Sequence, residues 1–455
     1  MNRQSEIINL QFLLAAGAVA SAAIAWIGFG GLPLGSPRFL AAAGLAAAGY
    51  GVALVLAPRT ACTRWALLAV AILTIFMRVP PAMIPVGGGS DMLRYIWDAR
   101  AQRAGVSPYV AVPANPQYAH LHTPQTRKMN NTNIPSPYPP GAQLFFRAVT
   151  SIHESTTALK IALVACDLMI AGILVFWLRS AGRNPLLAMA YAWNPIVVLE
   201  VAHSGHLDVA GALAVTIAAF ALARGRQWLS VGALAAGIAI KFLPIVLLPL
   251  YWKRVRIAHA AFGAAILGGL YLLFLDPRGD TVPLGSVTNM VRTFRFNGPV
   301  FKAIEFVSTP WLAAGVGVTA GLACAILMRQ RLAAGDPAAW AWPMAAALVC
   351  SPVIYPWYLL WLTPFFISAL TAPLMLWTIL IPTVYIVWYG MASGAPWAVP
   401  IWLGLLEFGS LVGATIWMIR RRRDRLQLAY AVAANQKIGG DDRQQHAVDD
   451  EHGGR

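Results

Sequence analysis

Charge is scarce in this chain. Only 11% of its 455 residues are Asp, Glu, Lys or Arg, where a soluble domain carries about 25%. Acid is scarcer than base, with 18 carboxylates against 34 Lys and Arg, and 58% of the residues are hydrophobic. A freely soluble globular domain is excluded. Cysteine is rare as well. Cys62, Cys166, Cys324 and Cys350 show no CxxC spacing, which argues against a zinc ribbon or a dithiol redox centre. Three of the four fall in apolar segments and read as inert buried thiols. No HExxH occurs, and no A-x-A cleavage site stands directly after the first apolar run, about Leu10 to Gly30. That run is too long for a signal-peptide core and reads as a retained helix.

What is present is apolar length. Stretches such as Ala41–Ala57, Leu159–Leu178 and Thr309–Met328 meet the roughly 20 residues needed to cross a bilayer. The chain therefore reads as an all-α polytopic membrane protein. A net charge of +16 invites a nucleic-acid partner, but the positions of the basic residues argue against one. They cluster in short turns between apolar segments: Arg59 and Arg64, Arg179 and Arg183, Arg224 and Arg226, Lys253 to Arg256, Arg329 and Arg331, and Arg420 to Arg423. That bias marks cytoplasmic turns.

Threaded on this rule, three helices (Leu10–Gly30, Phe39–Ala57, Trp65–Ile84) lead to a long outer loop at about 86–156. Helices are expected near Ala158–Leu178, Leu186–Ala202 and Leu207–Ala223, then Ile257–Leu275, and a second outer loop at 276–308. The remaining helices fall near Pro310–Met328, Ala338–Pro352, Trp357–Leu370, Pro373–Met391 and Val399–Ile419. One segment breaks the rule. Trp228–Trp252 has basic turns on both sides, so about 25 residues must enter and return, with Gly237, Lys241 and Pro244 as breakers. A re-entrant pair with Lys241 at its tip satisfies both constraints, and non-helical backbone at that depth must line a cavity or be covered by protein. A single helix beside one misleading basic turn is the alternative. The expected total is about 11–13 crossings, with residues 1–423 as one membrane domain, both termini cytoplasmic and a disordered tail at 424–455.

Six of the 18 acids lie in that tail, and Glu6 and Asp336 fall on the cytoplasmic side. The other ten lie in outer loops, at outer helix ends or within the bilayer, where carboxylates are costly and usually face a cavity. Arg94, Arg100, Arg103, Arg127 and Arg147 also face outward in the first loop, with Arg292, Arg295 and Lys302 in the second. An outward basic surface beside apolar helices suits a phosphate whose tail lies in lipid.

In SDMLRYIWDARAQRAGVSPY (Ser90–Tyr109) the apolar residues Leu93, Ile96, Trp97, Ala101 and Ala104 share one helical face. Ser90 or Asp91 could cap that helix, and Arg94 lies four residues from Asp98. NIPSPYPPGAQLFF (Asn133–Phe146) places a rigid turn before an amphipathic run. WNPIVVLEVAHSGHLDV ends with Glu200, His203, His206 and Asp208 in one short span. Imidazole and carboxylate are common metal ligands, so a divalent cation is conceivable, though no regular spacing specifies one. SPVIYPWYLLWLTPF (Ser351–Phe365) crowds prolines and aromatics, as helix anchors at an interface do.

Taken in order, these stretches resemble the GT-C class of integral-membrane glycosyltransferases, and most closely the bacterial polyprenyl-phosphate-mannose-dependent mannosyltransferases. The resemblance runs from Asp91 to about Phe365. It implies a helical bundle whose long first outer loop carries surface helices, a polyprenyl-phosphate-sugar donor and a lipid or glycan acceptor. It also implies a catalytic aspartate at the head of the first outer loop, a place that Asp91 occupies. Many members carry a second acid directly after it. Met92 stands there instead, leaving Asp98 or Asp208 as helpers. On the same analogy Lys241, Arg292 and Arg295 would hold the donor phosphate, and Asp98, Tyr138, His206 and Asp208 would contact sugar or acceptor. The alternative is a transporter or flippase for a lipid-linked or anionic substrate, whose midplane acid would be Asp167.

Overall fold

A computed structural model describes residues 3–275 and 283–424. Asp276, Arg278, Asp280 and the tail beyond Asp424 lie outside the described residues. Among the described residues helix is the dominant structure, with one isolated bridge between Phe296 and Val353 in place of any sheet. Seven helices among the described residues are long and apolar enough to cross a bilayer: Glu6–Phe29, Pro37–Arg59, Arg64–Ala82, Thr156–Ser180, Pro310–Arg331, Ala369–Met391 and Ile401–Asp424. The chain is an all-α polytopic membrane protein. The first two spans pack through small residues, which bring backbones close where lipid offers no hydrophobic contrast. A Cβ added to Gly49 would lie 2.6 Å from the Ala16 carbonyl oxygen.

The expected 11–13 crossings are not all present as full-length helices. Leu186–Ala202 is instead a pair, Pro185–Ala192 and Pro195–His203, bent by 58°. Pro195 lacks an N–H and disfavours helical geometry at Asn194. Asn194 takes an extended conformation, and its side chain accepts from Ile196 N to start the next helix. Four further apolar helices, Asp208–Ala223, Gln227–Ile240, Ile257–Leu272 and Ala338–Val349, are shorter than a span. The expected helix at Trp357–Leu370 is absent too. That stretch forms three short 3-10 turns, in a sequence interrupted by Pro356 and Pro364.

Trp228–Trp252 does turn back. The Gln227–Ile240 helix ends at Lys241, which is extended, and a 3-10 run, Leu243–Tyr251, returns. The two limbs meet at their base, where Gln227 Nε2 donates to the Arg254 carbonyl at 2.8 Å and Ser230 and Tyr251 share a hydroxyl hydrogen bond of 2.8 Å. Fourteen helical residues rise about 21 Å, against a hydrocarbon core of about 30 Å.

The turns carrying the basic residues gather at one end of the bundle. Asn9 donates to the Arg59 carbonyl, Asn184 to those of Ala57 and Thr60, and Arg183 to that of Ile367. On the far side Arg254 donates to the Leu332 carbonyl and Arg329 to that of Trp252. The Arg64–Ala82 span leads away from this end to the loop at 86–156, which sits at the opposite one. There the Asp91–Arg103 helix is not a surface helix. Met92, Tyr95, Ile96 and Ala99 pack into the main core, while Leu93, Trp97 and Ala101 pack under loop residues Ala111, Leu121 and Met129.

Candidate functional site

A cavity of about 660 Å³ opens at the loop end. Its lining combines the head of the first loop (Gly87–Asp91, Arg94, Tyr95), Asn130 and Tyr138, the His203–Asp208 turn, Lys241, and an aromatic wall of Tyr355, Trp357, Tyr358, Trp388 and Trp397. Each part arrives from a helix end or a break, where side chains can converge without a continuous helix filling the space.

Asp91 is the first residue of its helix, and it is not the cap. Ser90 accepts from Met92 N at 3.3 Å. The Asp91 carboxylate, partly exposed to the cavity, accepts from Asn130 Nδ2 at 3.2 Å. That amide also donates to the Gly89 carbonyl at 2.8 Å, while Gly89 N donates to the Lys128 carbonyl at 2.7 Å. Gly89 has φ of +78°, a conformation that glycine adopts without strain. The tripeptide before Asp91 is thus clipped to the far side of the loop.

Asp208 heads its own helix and is buried. Its Oδ1 accepts from Lys241 Nζ at 2.6 Å and from Trp361 Nε1 at 2.7 Å. Lys241 lies 3.9 Å from the centroid of the Tyr358 ring. His206 stacks on Trp357 with centroids 4.0 Å apart and planes within 6°. Its Nδ1 is 2.9 Å from Glu200 Oε2, off the line of a good hydrogen bond, and the Tyr385 hydroxyl donates to Glu200 Oε1. Burial disfavours a charged His206 ring. Contact with Glu200 and the charges of Glu200, Asp91 and Asp208 outweigh it and hold the pKa above its usual value.

Asp91, Tyr138, His206, Asp208 and Lys241 therefore share one cavity. Three expected residues do not. Asp98 is fully buried and absent from the lining. It is ion-paired with Arg94 at 2.7 Å and accepts from Ser136 and from Gln143 at 3.0 Å, leaving nothing to offer a sugar. Arg295 is engaged by Glu305, with one hydrogen bond of 2.8 Å, and stands outside the lining. Arg292 is exposed on the outer side of the Val287–Thr293 helix, whose Met290 faces the cavity instead. Glu200, His203, His206 and Asp208 do not converge on a common point, and no group of three or more His, Cys, Asp or Glu among the described residues could hold a metal ion.

A second, apolar cavity of about 310 Å³ adjoins the first. It is lined by Leu243, Val246, Val287, Val291, Gly317, Val318 and Leu348, among others, and shares Pro137, Pro139, Lys241, Met290 and Tyr358 with the polar one. Asn130, Trp388 and Trp397 were not singled out by the sequence, which carries no local signal for them. Arg94 was visible there as an outward charge four residues from Asp98, not as part of a cavity wall.

No family model, curated protein or solved structure matches this chain. The fold and cavity define its class: a polytopic helical membrane protein with a polar chamber and an apolar groove meeting at one end.

Proposed function

We propose that the chain is a membrane glycosyltransferase that moves a sugar, mannose first among candidates, from a polyprenyl phosphate to an acceptor hydroxyl on a lipid or glycan. The observation that carries this reading is the seam at Lys241. An amphiphile with an isoprenoid tail, a phosphate and a sugar has the same sequence of surfaces: apolar groove, ammonium, polar chamber. Lys241 has three N–H donors, one of which reaches Asp208 at 2.6 Å, so others can take phosphate oxygens. Arg292 and Arg295 have no part in the proposal.

A phosphate leaves without a general acid if its charge is held. What the reaction needs besides is a base for the acceptor's proton, typically a 10²–10⁴-fold effect. Asp91, oriented by Asn130, supplies it. Single displacement inverts the anomeric centre, so a β-linked donor gives an α product. By the positive-inside rule the basic end is cytoplasmic and the chamber faces outward at the plasma membrane. Over a carrier, the enzyme is supported by Asp167. This acid, the one a midplane transport site would use, is fully buried and bonded at both oxygens to Arg78, at 2.7 and 3.1 Å.

The test is transfer of radiolabelled sugar from polyprenyl-phosphate-mannose to membrane extract by wild type and Asp91→Asn. Wild type is expected to give an α-linked product, and the folded variant about 10²–10⁴-fold less. Full activity in the variant moves the base elsewhere. A wild type inert with mannosyl, glucosyl and arabinosyl donors removes the enzyme reading.

A further inference from the structure

The polar chamber is oddly charged for a site that receives a phosphate. Its two Lys and Arg cations among the described residues, Arg94 and Lys241, are each already paired, with Asp98 and Asp208. Asp91 adds a negative charge, and Glu200 lies just behind the wall. A phosphodiester entering there adds one more. Positive charge must come from a side chain able to acquire it, and the wall contains one in the right place. His206 stands two residues before Asp208, the partner of Lys241. Consecutive aromatic residues carry the two groups, Trp357 under His206 and Tyr358 under Lys241, with their ring centroids 6.1 Å apart.

We propose that His206 binds the donor's phosphodiester as an imidazolium beside Lys241, taking up a proton when the lipid phosphate binds. This rests on the lipid-phosphate reading above and gives His206 a different role from contacting the sugar. With Nδ1 turned to Glu200, the opposite nitrogen, Nε2, decides the matter. On a neutral ring it accepts and would meet a sugar hydroxyl; on a charged ring it donates and meets an anion. Three features favour the charged ring. Its Nδ1 lies 2.9 Å from a carboxylate oxygen that has no other partner. Its face lies flat on an indole, the best aromatic surface for a cation. The other charged groups acting on it, Asp91 and Asp208, are acidic, and the opposing titratable neighbours are His203, itself near the Lys160 ammonium, and Lys241, whose charge Asp208 already pairs.

The sign follows. Glu200, Asp91 and Asp208 already hold His206 above the usual histidine value of 6.5, and a bound anion raises it further. Affinity for the anion is therefore full below the ligand-free pKa and falls as pH rises through it, levelling off above the pKa of the complex.

The probe is farnesyl methyl phosphate, a diester whose single charge does not titrate between about pH 5 and 9, with farnesol as the uncharged control. Binding to the full chain in nanodiscs is measured by calorimetry from pH 5.5 to 9. Wild type should lose about tenfold in affinity for the diester across that range, the equivalent of one pKa unit between free and bound states. Farnesol binding should stay flat, and His206→Gln should bind the diester weakly with no pH trend. Diester binding by wild type that is independent of pH, or rises with it, overturns the imidazolium and leaves the lipid-phosphate reading intact. Failure to bind the diester at any pH overturns both. The wild-type profile decides the question even if His206→Gln does not fold.

Discussion

Asp91 is held by a neighbour that no spacing rule connects to it. Asn130 lies 39 residues downstream, yet its one amide nitrogen fixes both the Gly89 carbonyl and the Asp91 carboxylate. With Asp91 as the proposed base, a displacement of a fraction of an ångström costs rate more than affinity, because orientation matters most in the transition state. Asn130→Ala should therefore lower kcat about tenfold or more while the donor's KM stays within about twofold. Steady-state kinetics on the purified protein check this, and an unchanged kcat removes Asn130 from the site. At this scale the sequence was legible in part. Asp91, His206, Asp208 and Lys241 could be named because carboxylates and breakers are conspicuous in an apolar chain. Pairing was visible only where it is local. Arg94 and Asp98, four apart on a helix, show it, whereas Arg295 meets Glu305 across a turn and Asp208 meets Lys241 across 33 residues.

At the scale of elements, breaks matter more than helices. The bend at Trp193–Asn194 leaves carbonyls without helical partners, and Arg78 answers one of them. Besides its bond to Asp167 it donates to the carbonyls of Ala192 at 2.7 Å and Thr74 at 2.9 Å. One guanidinium thus ties the Arg64–Ala82 span to the Thr156–Ser180 span and to the bent pair. Removing one partner of such a pair strands a buried charge, at about 3–5 kcal/mol, whereas replacing both by apolar groups is often near neutral. Arg78→Ala should lower the thermal midpoint in detergent markedly, and Arg78→Met with Asp167→Leu should recover most of the loss. Equal midpoints for wild type and Arg78→Ala would show the pair to be dispensable. The sequence displayed Pro195 and the prolines of 351–373, but hydropathy averages over a window and reads a broken segment as a continuous one. Lengths of 12–16 residues in four apolar helices are hidden for the same reason. The return at Lys241 was legible because charge, in the form of two basic turns, counted the crossings independently of hydropathy.

For the whole molecule the lesson is polarity along the bundle axis. Basic turns close one end and the chamber opens at the other, an arrangement the basic turns and acid positions foreshadowed. Cys62 gives it a native reporter, since it is exposed at the basic end. A membrane-impermeant maleimide should label Cys62 in inverted vesicles and leave it unlabelled in right-side-out ones, with Cys62→Ser as the blank. The reverse pattern would put the chamber in the cytoplasm.

The hairpin that stops about 21 Å above its base has one more consequence. Lys241 stands on a post of fixed height, while the lipid around it has no fixed thickness. In a thicker bilayer the same ammonium lies deeper below the membrane surface on the chamber side, and the lipid phosphate proposed as its ligand must sink further to reach it. On that proposal, access to the chamber is a function of acyl-chain length and sterol content, so that the membrane's own composition sets how readily the site is filled.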